Sequence, residues 1–438
     1  MAISKNISQY GIWGSHKYGF TSNTSSILYT LILSFSFIIA GVNQIIPLIL
    51  NLFFANILIC IVYKTLKDRK IPSYGIILGL LFMIIFTPLI FLVIIGMEFV
   101  LQIAINIVFI FLVSNYLSNE QSFNGNKQSF RFKLILLIAP LVNMIRFEGI
   151  FIIVIVEILF LLKKRFKSSL YLTIVSFSPL LIYGFFSILN GWSFLPNSIL
   201  LKTDLPNIND FSNFFMNFMA NLFQRLFLSG YIFILIVIMS IIFFYEIFLK
   251  KEIWNELSLM SIIFISITLL HLQFAAIGFQ TFYFLRYETH IIALGIFIII
   301  LSIKDFIRYI EKIYLNVRKK KEEIILFFEK DFIPQLISLF IIISMILIHF
   351  SYRLNYILKL YPNSSKNIYE QQYQMGLFLK EYYNGECIAA NDIGAINFIA
   401  DIKCIDLWGL GTMEIADSKM KGTIDAYTIM EITSQNNC

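Results

Sequence analysis

The residues best suited to chemistry in this chain are Arg146 and Glu148, a guanidinium and a carboxylate set two positions apart in Asn143–Gly149. They interrupt an apolar run from Leu134 to Leu162 whose only other charge is Glu157. An ionisable side chain at the centre of a bilayer costs roughly 2.5–3.5 kcal/mol on insertion scales, so the pair is expected at a helix boundary, facing water or protein. Gly149 suits such a break. The planar fork of an arginine at headgroup depth would hold an anion, and the alternative reading is a solvated turn between two helices. The same oddity recurs in other loops on that side of the chain: Glu98 in Gly96–Glu98, Asn197 and Lys202 in the stretch Trp192–Asp204, and Arg286 beside Tyr287.

The elements that must position these residues are membrane helices. The 438 residues are 58% hydrophobic and 14% charged, with a mean hydropathy of +0.79, against a charged fraction of roughly 25% in soluble domains. A net charge of +7 would suggest nucleic acid in a soluble chain. Here the basic residues sit in short loops between apolar runs, so no nucleic-acid partner is expected and the charge sets orientation. Candidate spans fall at about 44–63, 74–94, 99–117, 134–145, 150–162, 169–189, 229–249, 257–277, 290–306 and 333–350, the two beside Arg146 being short. Ile27–Gly41 is also short for a span and reads as re-entrant or juxtamembrane, with a short span as the alternative. Met1–Ser26 is polar and carries no apolar core of a secretory signal.

With ten spans the loops alternate. One set holds twenty-one lysines and arginines, the other, without the tail, six. The rich set, including 304–330, is therefore expected in the cytoplasm and the motif-bearing loops outside. In the outer loop after the sixth span, the aromatic residues of Phe211–Phe227 recur at helical spacing opposite asparagines, the pattern of a helix lying in the interface plane; an ordinary packed helix fits equally well.

From Ser351 the polarity becomes ordinary, and 351–438 reads as one small α/β soluble domain. Glu386–Asn391 is expected as a strand, Ile393–Ala400 as a helix capped by Asp392, and Lys403–Leu407 as a second, parallel strand. That places Asp392 and Asp406 at carboxyl ends of strands, where α/β sheets bind ligands. Cys387 and Cys404 are either free thiols or a bridge. The four histidines, His16, His271, His290 and His349, are scattered and read as structural; no metal-ligand spacing stands out.

Taken together and in order, Gly19–Tyr29, Gly96–Glu98, Arg146–Gly149, Leu195–Asn197 through Lys202, Arg286-Tyr287, Asp392–Gly394 and Asp406–Leu410 resemble the landmarks of the GT-C membrane glycosyltransferases. Within them, the chain resembles the bacterial and archaeal branch similar to the mycobacterial terminal arabinofuranosyltransferase of cell-wall assembly. The resemblance implies an α-helical polytopic membrane protein of the cytoplasmic membrane, with a partial outer loop (1–26), a transmembrane domain (27–350, about ten spans plus juxtamembrane helices) and an outer-face α/β domain (351–438). It implies inverting transfer of a sugar from a polyprenyl-phosphate donor to a glycan or lipid acceptor on the outer face, with membrane lipid around it. No cofactor is certain, and a divalent metal is open without a site to hold it. On that scheme Arg146, Lys202 and Arg286 bind the phosphate, Glu98 and Glu148 hold sugar hydroxyls or those cations, and Asn197 shapes its loop.

The chain departs from the family at three points. One is that the soluble domain stops at Cys438, sooner than the family's, so that an incomplete sheet is expected. Members carry an acidic pair ahead of the Gly-Phe-Thr-Ser motif, on a loop following a first membrane helix, and 1–26 contains no Asp or Glu. That helix and acidic motif are expected to be missing, leaving Asp204 as a substitute base. Ile27 also stands where the family has proline, which leaves the entry to the next helix less constrained. Two other classes remain as alternatives, a transporter or flippase of lipid-linked glycans and a polysaccharide polymerase or ligase. Both use lipid-linked glycans.

Overall fold

Long apolar runs in lipid satisfy their backbone groups only as helices or closed barrels, and this chain takes the helical solution. The computed structural model describes residues 1–119, 125–201, 211–249, 251–274, 286–302, 351, 355–356, 358–436 and 438. Lys202, Asp204, the loop 304–330 and the expected span 333–350 lie outside them. After α1 (Ala2–Tyr10) and α2 (Ile27–Ala40) come α3 (Ile46–Asp68), α4 (Ser73–Phe86), α5 (Leu89–Ile95), α6 (Phe99–Ser118), α7 (Gly125–Ile145) and α8 (Gly149–Leu162). α9 (Phe166–Leu189), a single turn α10 (Asn197–Leu200), α11 (Phe211–Leu228), α12 (Gly230–Phe244), α13 (Glu256–Phe274) and α14 (residues 289–302) complete the described bundle.

Six described helices are long and apolar enough to cross a membrane, or seven if the bent pair α4 and α5 is one span. α6 and α13 form the centre, each with 67% of its most apolar window buried. Phe99, Ile103, Ile107 and Ile110 of α6 and Met260, Ile263, Phe264 and Ile267 of α13 belong to one continuous core. The outer helices instead turn Ile38, Ile39, Ile182 and Phe185 outward, as lipid-facing surfaces do.

Three expectations are corrected here. The helix before Arg146 is not short, because the polar stretch 125–133 is helical too and extends it to 21 residues. The span expected at 74–94 breaks at Thr87-Pro88 with a 47° bend, since proline lacks the amide that would continue the ladder. Ile27–Ala40 is a 14-residue helix; Ser26 accepts a hydrogen bond from the Tyr29 amide at its start, which supplies the constraint that Ile27 cannot.

The two loop sets occupy opposite ends. At one, Arg69 pairs with Glu256, Asn115 joins Glu256 and Arg131, and Lys163 lies 4.5 Å above the Trp254 ring. At the other end sit Glu98, Arg146, Arg286, the amino-terminal segment and the C-terminal domain.

That domain contains α15 (Gln374–Tyr382), β1 (Cys387–Ala390), α16 (Ile393–Ile399), β2 (Lys403–Asp406), α17 (Met413–Lys421) and α18 (Ala426–Gln435). The strands pair in parallel, as expected, with Cys387 opposite Lys403 and Ile388 opposite Cys404. Successive side chains of a strand point to opposite faces, so this register puts Cys387 and Cys404 on different faces and rules out a bridge between them. The disulfide is Cys387–Cys438, and Cys404 is a buried free thiol. Asp392 does not cap α16. Its backbone is left-handed, with φ 52°, which turns the carboxylate away from the first-turn amides, and Oδ2 accepts from Gln372 instead. Asp406 is spent on its own loop, accepting from the amides of Trp408 at 2.9 Å and Gly411 at 2.8 Å. The carboxyl edge of the sheet therefore orders loop 407–411.

Asp401 fastens this domain to the amino-terminal segment, with Lys5 Nζ at 2.8 Å, Tyr10 Oη at 3.1 Å and Lys17 Nζ at 3.9 Å. Burial opposes ionisation, but Lys5, Tyr10 and Lys17 hold the carboxyl below the ordinary aspartate value. A pKa depressed by folding stabilises fully above the unfolded value of about 3.9, and that stabilisation is lost as pH falls through the lower folded value. Asp401→Asn is accordingly expected to lower the melting temperature at pH 7, by an amount that shrinks as pH falls through the depressed folded value, as thermal melts across pH would show.

Candidate functional site: a charged cluster where the spans meet the C-terminal domain

α7 stops at Ile145 and α8 begins at Gly149, and the turn is closed by the Gly149 amide donating to Arg146 O at 2.9 Å and the Ile150 amide to Phe147 O at 3.1 Å. Arg146 is 6% exposed. Its Nε and Nη2 grip both oxygens of Glu148 at 3.0 and 2.7 Å, and Nη1 reaches Glu98 Oε1 at 2.7 Å. One guanidinium thus holds two carboxylates, one of them through the bidentate fork available to arginine but not lysine. Burial disfavours the Glu148 anion, yet the fork from Arg146 outweighs it and holds this carboxyl, in the turn outside the spans, well below the usual range.

Glu98 is set by the preceding turn. Gly96 takes a left-handed backbone, φ 72°, while Asn51 Nδ2 donates to Met97 O at 2.8 Å and Tyr29 Oη to Gly96 O at 2.9 Å. Ser25 Oγ donates to Glu98 at 3.4 Å. The aromatic walls are Phe99 and Tyr287, edge to face at 6.1 Å. Arg146 lies 5.3 and 5.2 Å from their centroids, and Arg286 5.9 and 5.3 Å. Two cations therefore share two rings, within the range of cation–π attraction. Arg286 also approaches Met97 Sδ at 3.5 Å. The two arginines and two glutamates balance in charge.

Of the residues singled out from sequence, Glu98, Arg146, Glu148 and Arg286 come together. Asn197 stands apart from them, across the extended segment Ser22–Ser26: its amide donates to Ser22 O at 2.8 Å, Ser198 Oγ to Thr24 O at 3.2 Å, and Asn197 Nδ2 to Gly409 O at 2.9 Å. Asn197 is thus the stitch joining the loop after α9 to the amino-terminal segment and to the C-terminal domain.

Sequence reading missed a polar lining that runs inward from the cluster. Glu98, Gln102 and Asn106 recur every four residues on α6, all buried, and that spacing inside an apolar span was the signal. His271 and His290, read as scattered, pack with ring centroids 5.3 Å apart, and both are close enough to Glu148 for their charges to interact. His271 is 1% exposed, and neither ring nitrogen has a hydrogen-bond partner among the described residues. Among those residues no three His, Cys, Asp or Glu side chains gather as a metal site would require.

Residues 366–437 match a family described as a domain of unknown function (DUF8728), which covers most of the C-terminal domain and none of the described bundle. No curated protein and no solved structure matches the chain.

Proposed function

We propose that the protein is a GT-C-like glycosyltransferase that moves a sugar from a polyprenyl-phosphate donor to a glycan or lipid acceptor at the outer face of the cytoplasmic membrane. The observation that carries the reading is the convergence of Arg146, Arg286, Glu98 and Glu148 around two shared rings, at the end of the bundle where the Gly19–Tyr29 segment, the Asn197 loop and the C-terminal domain also meet. In such a reaction the acceptor hydroxyl attacks the anomeric carbon as a general-base carboxylate takes its proton, the bond to the phosphate oxygen breaks, and the polyprenyl phosphate departs with the negative charge. Cations at headgroup depth stabilise that leaving group. Arg146 spends its fork on Glu98 and Glu148, so on this reading Arg146 is their positioning residue and Arg286, which shares its two rings, is assigned the phosphate. Those carboxylates are suited to accept hydrogen bonds from sugar hydroxyls.

Arg286→Ala is expected to weaken binding of undecaprenyl phosphate at least tenfold and to cut transfer by 10²-fold or more, as titration and turnover with undecaprenyl-phosphate sugars in proteoliposomes would show. Arg286→Lys should recover part of the binding. Undiminished binding and turnover in Arg286→Ala would remove the residue from the site. The bend at Pro88 favours a second reading, because interrupted helices are a mark of transporters; movement of the lipid-linked sugar across the bilayer without any transfer would select it. Orientation has its own check. A cysteine at Tyr427, 79% exposed, should label with an impermeant maleimide added outside intact cells, and one at Lys164 should not. The reverse pattern would put the cluster in the cytoplasm.

A further inference from the structure

A groove of about 680 Å³ lies between α1, the turn joining α2 to α3, and the C-terminal domain. It falls within the size range of small-ligand pockets. Lys5, Gln9 and Tyr10 form one wall, Gln44 and Ile45 the floor, and Tyr373 and Lys380 are among the residues opposite. Three properties constrain its occupant. First, its lining carries more positive than negative charge: Lys5 pairs with Asp401, the single acid of the lining, Lys17 reaches the same aspartate from outside the lining, and Lys380 adds an exposed cation with no ion-pair partner among the described residues. Second, its remaining polar groups are amides and phenols, which donate to oxygen-rich ligands. Third, its floor is the threshold of a span. Ile45 is 59% exposed, and Ile49, Leu52 and Phe53, one and two turns further along α3, are 57%, 53% and 58% exposed. They continue the stripe at helical spacing into the lipid-facing surface.

We infer that the groove binds the phosphate-bearing headgroup of a membrane lipid, with one acyl chain lying along Ile45, Ile49, Leu52 and Phe53. Basic pockets beside membrane helices recognise anionic headgroups in this way. The apolar stripe distinguishes a lipid from a soluble phosphate ester, since only a lipid uses both halves of the surface. The inference is independent of glycosyl transfer, because none of the charged cluster around Arg146 lines the groove.

The test uses the full chain purified in detergent and titrated, by native mass spectrometry, with dioleoyl phosphatidylglycerol, with dioleoylglycerol, which has the same chains but no phosphate, and with glycerol 3-phosphate, which has no chains. The phospholipid is expected to bind at least tenfold more tightly than either fragment. Lys380→Glu reverses an exposed charge and Ile45→Asn removes the first apolar contact, and each should weaken the phospholipid about tenfold while leaving the melting temperature of the lipid-free protein within a degree or so. Equal binding by dioleoylglycerol would show unselective coating of the bundle and overturn the site. Binding of glycerol 3-phosphate as tight as that of the phospholipid would make it a site for soluble phosphate and overturn the lipid. Wild-type phospholipid binding by both variants would place the lipid elsewhere.

Discussion

Arg146→Ala is expected to destabilise the protein by about 3–5 kcal/mol, the range for removing one partner of a buried ion pair. The loss is not that of a contact alone. Glu98, at 4% exposure, and Glu148 would be left facing each other inside the bundle with no cation between them. Arg146→Lys should fall between, since an ammonium keeps the charge but cannot span both oxygens of Glu148 and reach Glu98 together. The triple variant Arg146→Met, Glu98→Gln, Glu148→Gln leaves no buried charge uncompensated and should recover most of the loss. Melting temperatures of the three proteins in one detergent make the comparison. If Arg146→Ala melts with the parent, the cluster is hydrated and its arginine is not a structural keystone.

This stability role changes how activity measurements should be read. A dead Arg146 variant would report misfolding as readily as lost chemistry, so activity measurements on it need a stability measurement beside them. A diphosphate or monophosphate entering beside Arg146 would have to displace Glu98 or Glu148 from a fork already satisfied, an exchange that gains little. Arg286 meets the same two rings.

The cluster was legible in the sequence because membranes make charge conspicuous. Arg146, Glu148 and Glu98 stand out against apolar neighbours, and hydropathy located the helices that bring them together, except for the polar first turns of the helix before Arg146. Pairing was legible in part, since Glu98 and Glu148 were expected to hold those cations or sugar hydroxyls. Spacing alone does not say that one guanidinium reaches both, because Glu98 is 48 residues from Arg146. The histidines were passed over for the same reason: His271 and His290 lie on different helices, and only bundle packing makes them neighbours. In the C-terminal domain the strands were readable as short apolar stretches either side of a helical one, yet the disulfide was not, because strand register, set by contacts distant in sequence, decides which face each cysteine occupies. Asp392 failed as a cap because its left-handed backbone overrode a sound local signal.

Gly149→Ala should be the most damaging conservative change near the cluster. A Cβ there would stand 2.1 Å from Val142 O and 2.7 Å from Val142 C. Those are backbone atoms of the last two turns of α7, so no side chain can swing aside to make room. The obstruction is steric and not conformational, because the position does not need a left-handed backbone. α8 would have to move off α7 by more than an ångström, and the turn between them carries Arg146 and Glu148. The expected cost is about 1–3 kcal/mol or more for overpacking a fixed site, together with loss of the Arg286-dependent lipid-phosphate binding if the cluster is displaced. Gly394→Ala provides the contrast of opposite sign. It lies in the first turn of α16 with no atom within 4 Å of an added methyl, and alanine there should stabilise by up to about 1 kcal/mol through helix propensity. Thermal melts of the two variants should therefore shift in opposite directions. A Gly149→Ala protein that melts and binds like the parent would mean that α7 and α8 separate without penalty, and the rigid turn invoked for positioning Glu148 would have no physical basis.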